Sequence, residues 1–145
     1  MPLKSLRDDF EAEPEKVEQA RAFCFQNGWI GVGWGIDGLD DNLTDPATYE
    51  SALPQAFPET SARSAHYAIA TRMLHGDFVW CRAKADIYWL ARVEGPWVYR
   101  NVAEFADFDL YQVRQCEWLC VGPGDSTPGP VKNAFAGRGV PGDDL

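Results

Sequence analysis

The spacing of apolar positions along the chain changes period twice. From Pro14, the residues Val17, Ala20, Phe23 and Cys24 recur at three- and four-residue intervals until Asn27-Gly28, which predicts a short amphipathic helix with proline in its first turn. The run Trp29-Ile30-Gly31-Val32-Gly33-Trp34-Gly35-Ile36 then alternates glycine with large apolar residues, the pattern of a buried first strand that something approaches closely. Asp37, Gly38, Asp40, Asp41 and Asn42 read as a turn-rich loop, and Thr44-Asp45-Pro46 supplies a cap and an N1 proline for a short helix expected to end before Pro54. Ala65, Ala68, Ile69 and Met73 share one helical stripe between Ser61 and His75, with Gly76 placed as a left-handed residue after its end.

After Gly76-Asp77 the period becomes two. Phe78 and Trp80 oppose Val79 and Cys81; Ile87, Trp89, Ala91 and Val93 oppose Tyr88, Leu90 and Arg92. Glu94-Gly95-Pro96 turns the chain into Trp97-Val98-Tyr99-Arg100. From Tyr111 to Val121, Arg114, Cys116, Trp118 and Cys120 oppose Tyr111, Val113, Leu119 and Val121. Past Val121 comes a Pro/Gly-rich loop, a short apolar stop at 131–135, and a stretch at 137–145 with no packing pattern, expected to fray. One strand, two or three helices and a meander predict an α+β fold whose curved sheet forms a small, partly closed β-barrel with two or three flanking helices. The organisation expected is a single domain over residues 14–136, an acidic amino-terminal extension at 1–13 and a flexible tail at 137–145.

A chain of 145 residues with 46% hydrophobic content suits one domain with a full core. No apolar run approaches the ~20 residues of a spanning helix, and the start of the chain carries no apolar signal core, so the expectation is a cytoplasmic protein without a membrane partner. Cys24, Cys81, Cys116 and Cys120 are accordingly expected as reduced, packed thiols. The net charge of -9 argues against tight non-specific duplex binding. Its distribution is uneven, however: residues 60–140 hold nine bases and eight acids, so Arg82, Lys84, Arg92, Arg100 and Arg114 are available for a local positive rim. His66 and His75 would point to nearly opposite sides of one helix, and Cys116 and Cys120 are ~13 Å apart on an extended strand, so no metal and no cofactor are expected. Asp77, Asp86 and Glu117 have no catalytic spacing with a histidine, and no P-loop or dinucleotide fingerprint is present, which points away from an enzyme.

Six tryptophans, five tyrosines and eight phenylalanines exceed what a core of this size needs. Trp34 between two glycines, Trp80, Trp89, Trp97, Tyr99 and Trp118 are the candidates for an aromatic slot. Such a slot holds a flat heterocycle by stacking worth ~1–3 kcal/mol per base. Arg82, Arg100 or Arg114 would touch a flanking phosphate. The competing reading is that each ring is core.

Gly31-Val32-Gly33-Trp34, the turn Gly76-Asp77-Phe78-Val79, and Tyr88-Trp89-Leu90-Ala91-Arg92-Val93 running into Trp97-Val98-Tyr99 together resemble the PUA-like superfamily. EVE-type domains and the modified-base-sensing amino-terminal modules of prokaryotic restriction and anti-phage systems look closest, over residues 15–135. The resemblance implies a pocket that accepts a modified base turned out of DNA or RNA, with Trp34, Trp80, Arg82, Trp97 and Tyr99 as the positions carried over. It also implies a non-catalytic sensor that works with an effector protein. The alternatives are a protein-protein interaction module of a defence or phage accessory system, using the acidic face or exposed aromatics, and a small-molecule-binding domain.

Overall fold

The computed structural model describes residues 14–126 and 128–130; the expected acidic extension, the apolar stop at 131–135 and the tail at 137–145 lie outside the described residues. Helix α1 (Pro14–Asn27) leads into strand β1 (Trp29–Val32) and the two-residue β2 (Asn42–Leu43). Helices α2 (Pro46–Ala56) and α3 (Thr60–Tyr67) come next, then β3 (Phe78–Ala83), β4 (Ile87–Val93), β5 (Val98–Arg100), the short α4 (Ala103–Ala106) and β6 (Gln112–Pro123). The fold is α+β, with a six-stranded antiparallel sheet and four helices among the described residues.

Three of the other five strands pair directly with the twelve residues of β6. Its first part, from Gln112 to Gln115, pairs with β1, with Ile30 opposite Arg114; Val113 and Gln112 also face Val98 and Tyr99 of β5. From Cys116 onward β6 pairs with β4, with one irregularity between Tyr88 and Trp89. Glu94 and Gly95 both donate to the Gln115 carbonyl, at 2.9 and 3.0 Å, so the connection between β4 and β5 stays bonded to β6. Strand β2 completes the pairing beyond β5 and β3 beyond β4, and among the described residues no pairing joins those two ends, so the sheet is not closed.

Helix α1 buries Val17, Ala20 and Cys24, the stripe expected from its spacing. Three element boundaries differ from the expectation, each for a local reason. The first strand stops at Val32, because from Gly33 onward the backbone is bonded by side chains instead of by a neighbouring strand. Helix α2 continues through Pro54 to Ala56; the missing donor lies in the last turn, where the Phe57 amide closes the end on the Leu53 carbonyl at 2.8 Å. Helix α3 gives way after Tyr67 to a π-helical turn over Ala68–Arg72, closed by the Met73 amide on the Ala68 carbonyl at 2.9 Å.

That wider turn meets Arg114. The guanidinium, 7% exposed, donates to the carbonyls of Gly95 (2.9 Å), Ile69 (3.2 Å) and Met73. Arg114 is therefore not on a positive rim, contrary to the expectation from its charge: β6 turns it inward to satisfy the carbonyls that the irregular helix end leaves open. Burial pulls its pKa down, against the opposing field of Asp77. Arg114→Leu leaves three carbonyls without a donor and is expected to lower unfolding free energy by about 3 kcal/mol, measured by urea denaturation.

All four cysteines are free, with Cys24, Cys81 and Cys116 buried and Cys120 exposed. Burial, assisted by the charge of Glu94, pushes the Cys116 thiol from an ordinary value of 9.0 up to about 12. The folded state thus holds its proton where the unfolded chain has lost it, and stability is expected to fall as pH rises from about 9 toward 12. A thiol reagent near pH 8 is expected to modify Cys120 alone in the native protein and all four cysteines after unfolding, as counted by mass spectrometry.

Candidate functional site

The segment 33–36 leaves the sheet at the end of β1 and is fastened from below by three buried side chains. Gln112 Nε2 donates to the Gly33 carbonyl at 3.1 Å, and the Tyr49 hydroxyl donates to the Trp34 carbonyl at 2.7 Å. The Tyr99 hydroxyl accepts from the Ile36 amide at 2.9 Å and donates to the Ile36 carbonyl at 3.1 Å. Two glycines give the neighbours room: a Cβ on Gly33 would stand 2.6 Å from an Asp109 carboxylate oxygen, and one on Gly35 would stand 2.5 Å from the Tyr111 ring. Between them Trp34 is held at φ +65°, a left-handed conformation that costs a bulky residue ~1–2 kcal/mol. Four hydrogen bonds at ~1 kcal/mol each offset that. The indole is partly buried against the core and keeps part of its surface exposed.

The three anchors form one network. Gln112 is fully buried; its Oε1 accepts from Trp97 Nε1 at 3.2 Å and from His66 Nδ1 at 2.8 Å, and its Nε2 also reaches the Tyr49 hydroxyl at 3.2 Å. An indole N–H only donates and a backbone carbonyl only accepts, so the orientation of the amide is determined, and so is the proton on His66 Nδ1. His66 Nε2 faces Glu50 Oε2 at 3.1 Å. Tyr49 stacks on His66 at 4.8 Å and meets Trp97 and Tyr99 at 5.8 and 5.6 Å. Burial, helped by Tyr99, pushes the Tyr49 phenol up, which favours the protonated form that donates to Trp34. The Tyr111 phenol is pushed up by burial and by Asp109, Asp37 and Asp107, which places this aromatic in a field of carboxylates.

The other expected site residues fall into separate places instead of converging. Trp97 and Tyr99 are 4% and 0% exposed and belong to the network below Trp34. Trp89 and Trp118 are joined by Phe25 of α1: Trp89 stacks on it at 4.1 Å with planes 7° apart, Trp118 meets it edge-on at 4.9 Å, and Trp118 Nε1 donates to the Trp29 carbonyl at 2.9 Å. Trp80 is 8% exposed in a second small cluster with Tyr88, Leu90 and Val121. Arg82 is exposed on the edge strand, opposite Tyr88. Trp34 alone of the six aromatics has a strained backbone.

Sequence reasoning passed over Gln112, Tyr49 and Tyr111, and weighed His66 only as a metal ligand. One signal was there for Gln112: it is in phase with Arg114, Cys116 and Trp118 along β6, and so on the face that is buried near the start of that strand. Among the described residues no group of three or more His, Cys, Asp or Glu could hold a metal ion, and no helix is long and apolar enough to cross a membrane.

Gln112→Leu removes all four bonds of the amide and is expected to cost about 3–5 kcal/mol, whereas Tyr99→Phe, which frees only Ile36, is expected to cost about 1–2 kcal/mol. Urea titrations of both variants check the ratio. Equal losses would mean that Gln112 does not organise the site.

The model of one family, a domain of unknown function (DUF8426), matches residues 10–132. No curated protein and no solved structure matches the chain.

Proposed function

The chain belongs to the DUF8426 family, and we propose that this domain is a non-catalytic reader of a modified or extruded nucleobase, taking one planar base against Trp34. The observation that carries the reading is the Trp34 backbone: a large aromatic held in a strained conformation by buried donors on both sides, with part of its indole left at the surface. Strain of this kind persists only where the surroundings over-determine it, and it concentrates at ligand-binding positions. A preorganised indole supplies stacking without a conformational cost at binding. The acidic surroundings of the loop, Asp37, Asp40 and Asp41, suit a single uncharged base better than a tracked polyanion. Extrusion costs a few kcal/mol, least at a modified or mismatched pair, and that difference is a source of selectivity.

In this reading the open antiparallel sheet is the frame of a PUA-like, partly closed barrel. The protein is cytoplasmic and serves as the sensor of a restriction or anti-phage system, with the effector on another chain or domain. Trp97, Tyr99 and Gln112 act beneath the base as positioning residues, and Trp34 touches it.

A second reading, a protein-interaction module, is favoured by one observation: Phe78 and Leu119 are 55% and 61% exposed, on the outer part of the sheet away from Trp34. Leu119→Lys separates the two readings, because it leaves base binding unchanged if Trp34 is the functional residue.

Oligonucleotides carrying methylated or hydroxymethylated bases are expected to bind in preference to unmodified DNA or RNA by fluorescence anisotropy. Trp34→Ala is expected to weaken that binding by ~1–3 kcal/mol, about five- to 150-fold, while the chain stays folded. No preference for any modified base removes the reading. Binding of free nucleosides but not of oligomers turns it into a small-molecule site.

A further inference from the structure

Trp34 stands among carboxylates. The glycines on either side of it pack on the turn before β6: a Cβ on Gly33 would meet an Asp109 carboxylate oxygen at 2.6 Å, and one on Gly35 would meet the Tyr111 ring at 2.5 Å. Asp109 and Tyr111 therefore touch the backbone immediately before and after the indole. Beyond Ile36 the chain runs into Asp37, Asp40 and Asp41, and three residues of chain keep Asp37 within about 11 Å of Trp34. The Tyr111 ring, partly exposed and stacked on Tyr99 at 6.2 Å, senses the result: burial raises its phenol, and so do the charges of Asp109, Asp37 and Asp107. Among the described residues, Asp37, Asp40, Asp41 and Asp107 enter no ion pair. Arg100 is close, since the Asn101 amide bonds the Asp41 carbonyl at 3.2 Å, but its guanidinium is turned onto the rings of Phe105 and Trp29, 4.8 and 5.8 Å from their centroids.

Like charges gathered without a counter-charge weigh on the folded chain, and a positive guest relieves them. The Debye length is ~8 Å at physiological ionic strength, so a charge bound at Trp34 is screened only in part from Asp37 and Asp109. Among aromatic faces, an indole holds a cation best. A guest that is both flat and positively charged therefore uses the stacking face and the field together, whereas an uncharged ring uses the face alone. Methylation of adenine at N1 or of cytosine at N3 makes such a ring near neutral pH; methylation at adenine N6 or cytosine C5 leaves the ring uncharged. The first two positions are also on the Watson–Crick edge, so the methyl group breaks the pair and lowers the cost of extrusion.

We propose that the base taken at Trp34 is a cationic one, alkylated on a ring nitrogen of its pairing edge, with its ring on the indole and its charge in the field of Asp37, Asp107 and Asp109. The inference rests on the nucleobase reading and narrows it to one class of modification. The aromatic face supplies affinity for any base, and the carboxylates supply the choice among them.

The test compares isomers of equal mass and different charge. 1-Methyladenine is set against N6-methyladenine, and 3-methylcytosine against 5-methylcytosine, each at the centre of an otherwise identical single-stranded oligonucleotide, by fluorescence anisotropy near pH 7. The cationic isomer of each pair is expected to bind at least tenfold more tightly, and the preference is expected to shrink several-fold between low salt and about 0.5 M salt. The double variant Asp37→Asn, Asp107→Asn, whose two carboxylates are exposed, is expected to lose at least two-thirds of the preference while its affinity for the uncharged isomers stays the same or rises. Unchanged indole resonances establish that this variant is folded.

Equal binding of both isomers, or a preference that neither salt nor the double variant reduces, overturns the cationic assignment and leaves the nucleobase reading standing. Binding of none of the four overturns both. Tighter binding of a trimethyl-lysine peptide than of any of the four oligonucleotides, lost in Trp34→Ala, also overturns both, because the site then takes an organic cation from a protein.

Discussion

One buried amide holds the top of this domain together. Gln112 sits where β6 begins, and every hydrogen-bonding position of its side chain is occupied, two acceptances at Oε1 and two donations at Nε2. A half-satisfied amide at zero exposure would destabilise the core; a fully satisfied one specifies which groups surround it. Helix α2 contributes Tyr49, helix α3 contributes His66, the approach to β5 contributes Trp97, and the exit from β1 contributes the Gly33 carbonyl. Four segments that are distant in sequence are thus placed by one side chain. The shape of the Trp34 loop is set by the core rather than by its own turn chemistry.

The aromatic surplus is largely consumed by packing. Phe25 alone occupies the faces of two tryptophans, and the Tyr49–His66–Trp97–Tyr99 group fills the space under the loop. In the proposed reading the ring left for a ligand beside the network is Trp34, which fits a protein that contacts one planar group better than one that grips several. The acidity of the chain has the same sense in that reading, since net repulsion disfavours an extended polyanion more than one uncharged base.

Helix α1 and the β3–β4 hairpin were legible in the sequence because their burial is one-sided and repeats with the period of the element. The end of β1 was not. Its last four residues look like strand by composition, yet they are governed by partners 15, 63 and 79 positions away, which no local pattern contains. Trp34 could be singled out from Gly33-Trp34-Gly35, but the glycines are there for Asp109 and Tyr111, not to bare the faces of the indole. Arg114 carried its own signal, since it keeps step with Cys116 and Trp118 along β6; reading its charge as a surface property overrode the phase that marked it as interior. The sorting of the tryptophans depended on Phe25, whose place opposite Trp89 is set only by how α1 crosses the sheet.

The π-helical turn at Ala68–Arg72 makes the spacing between α3 and β3 an integer that cannot be adjusted freely. Deleting one residue there would restore regular winding and take away the widened end whose carbonyls face Arg114. Arg114 would then be left without acceptors that it now satisfies. Natural variation in length should therefore collect in the loops at 37–41 and 84–86, while this five-residue stretch keeps its count even as its side chains drift.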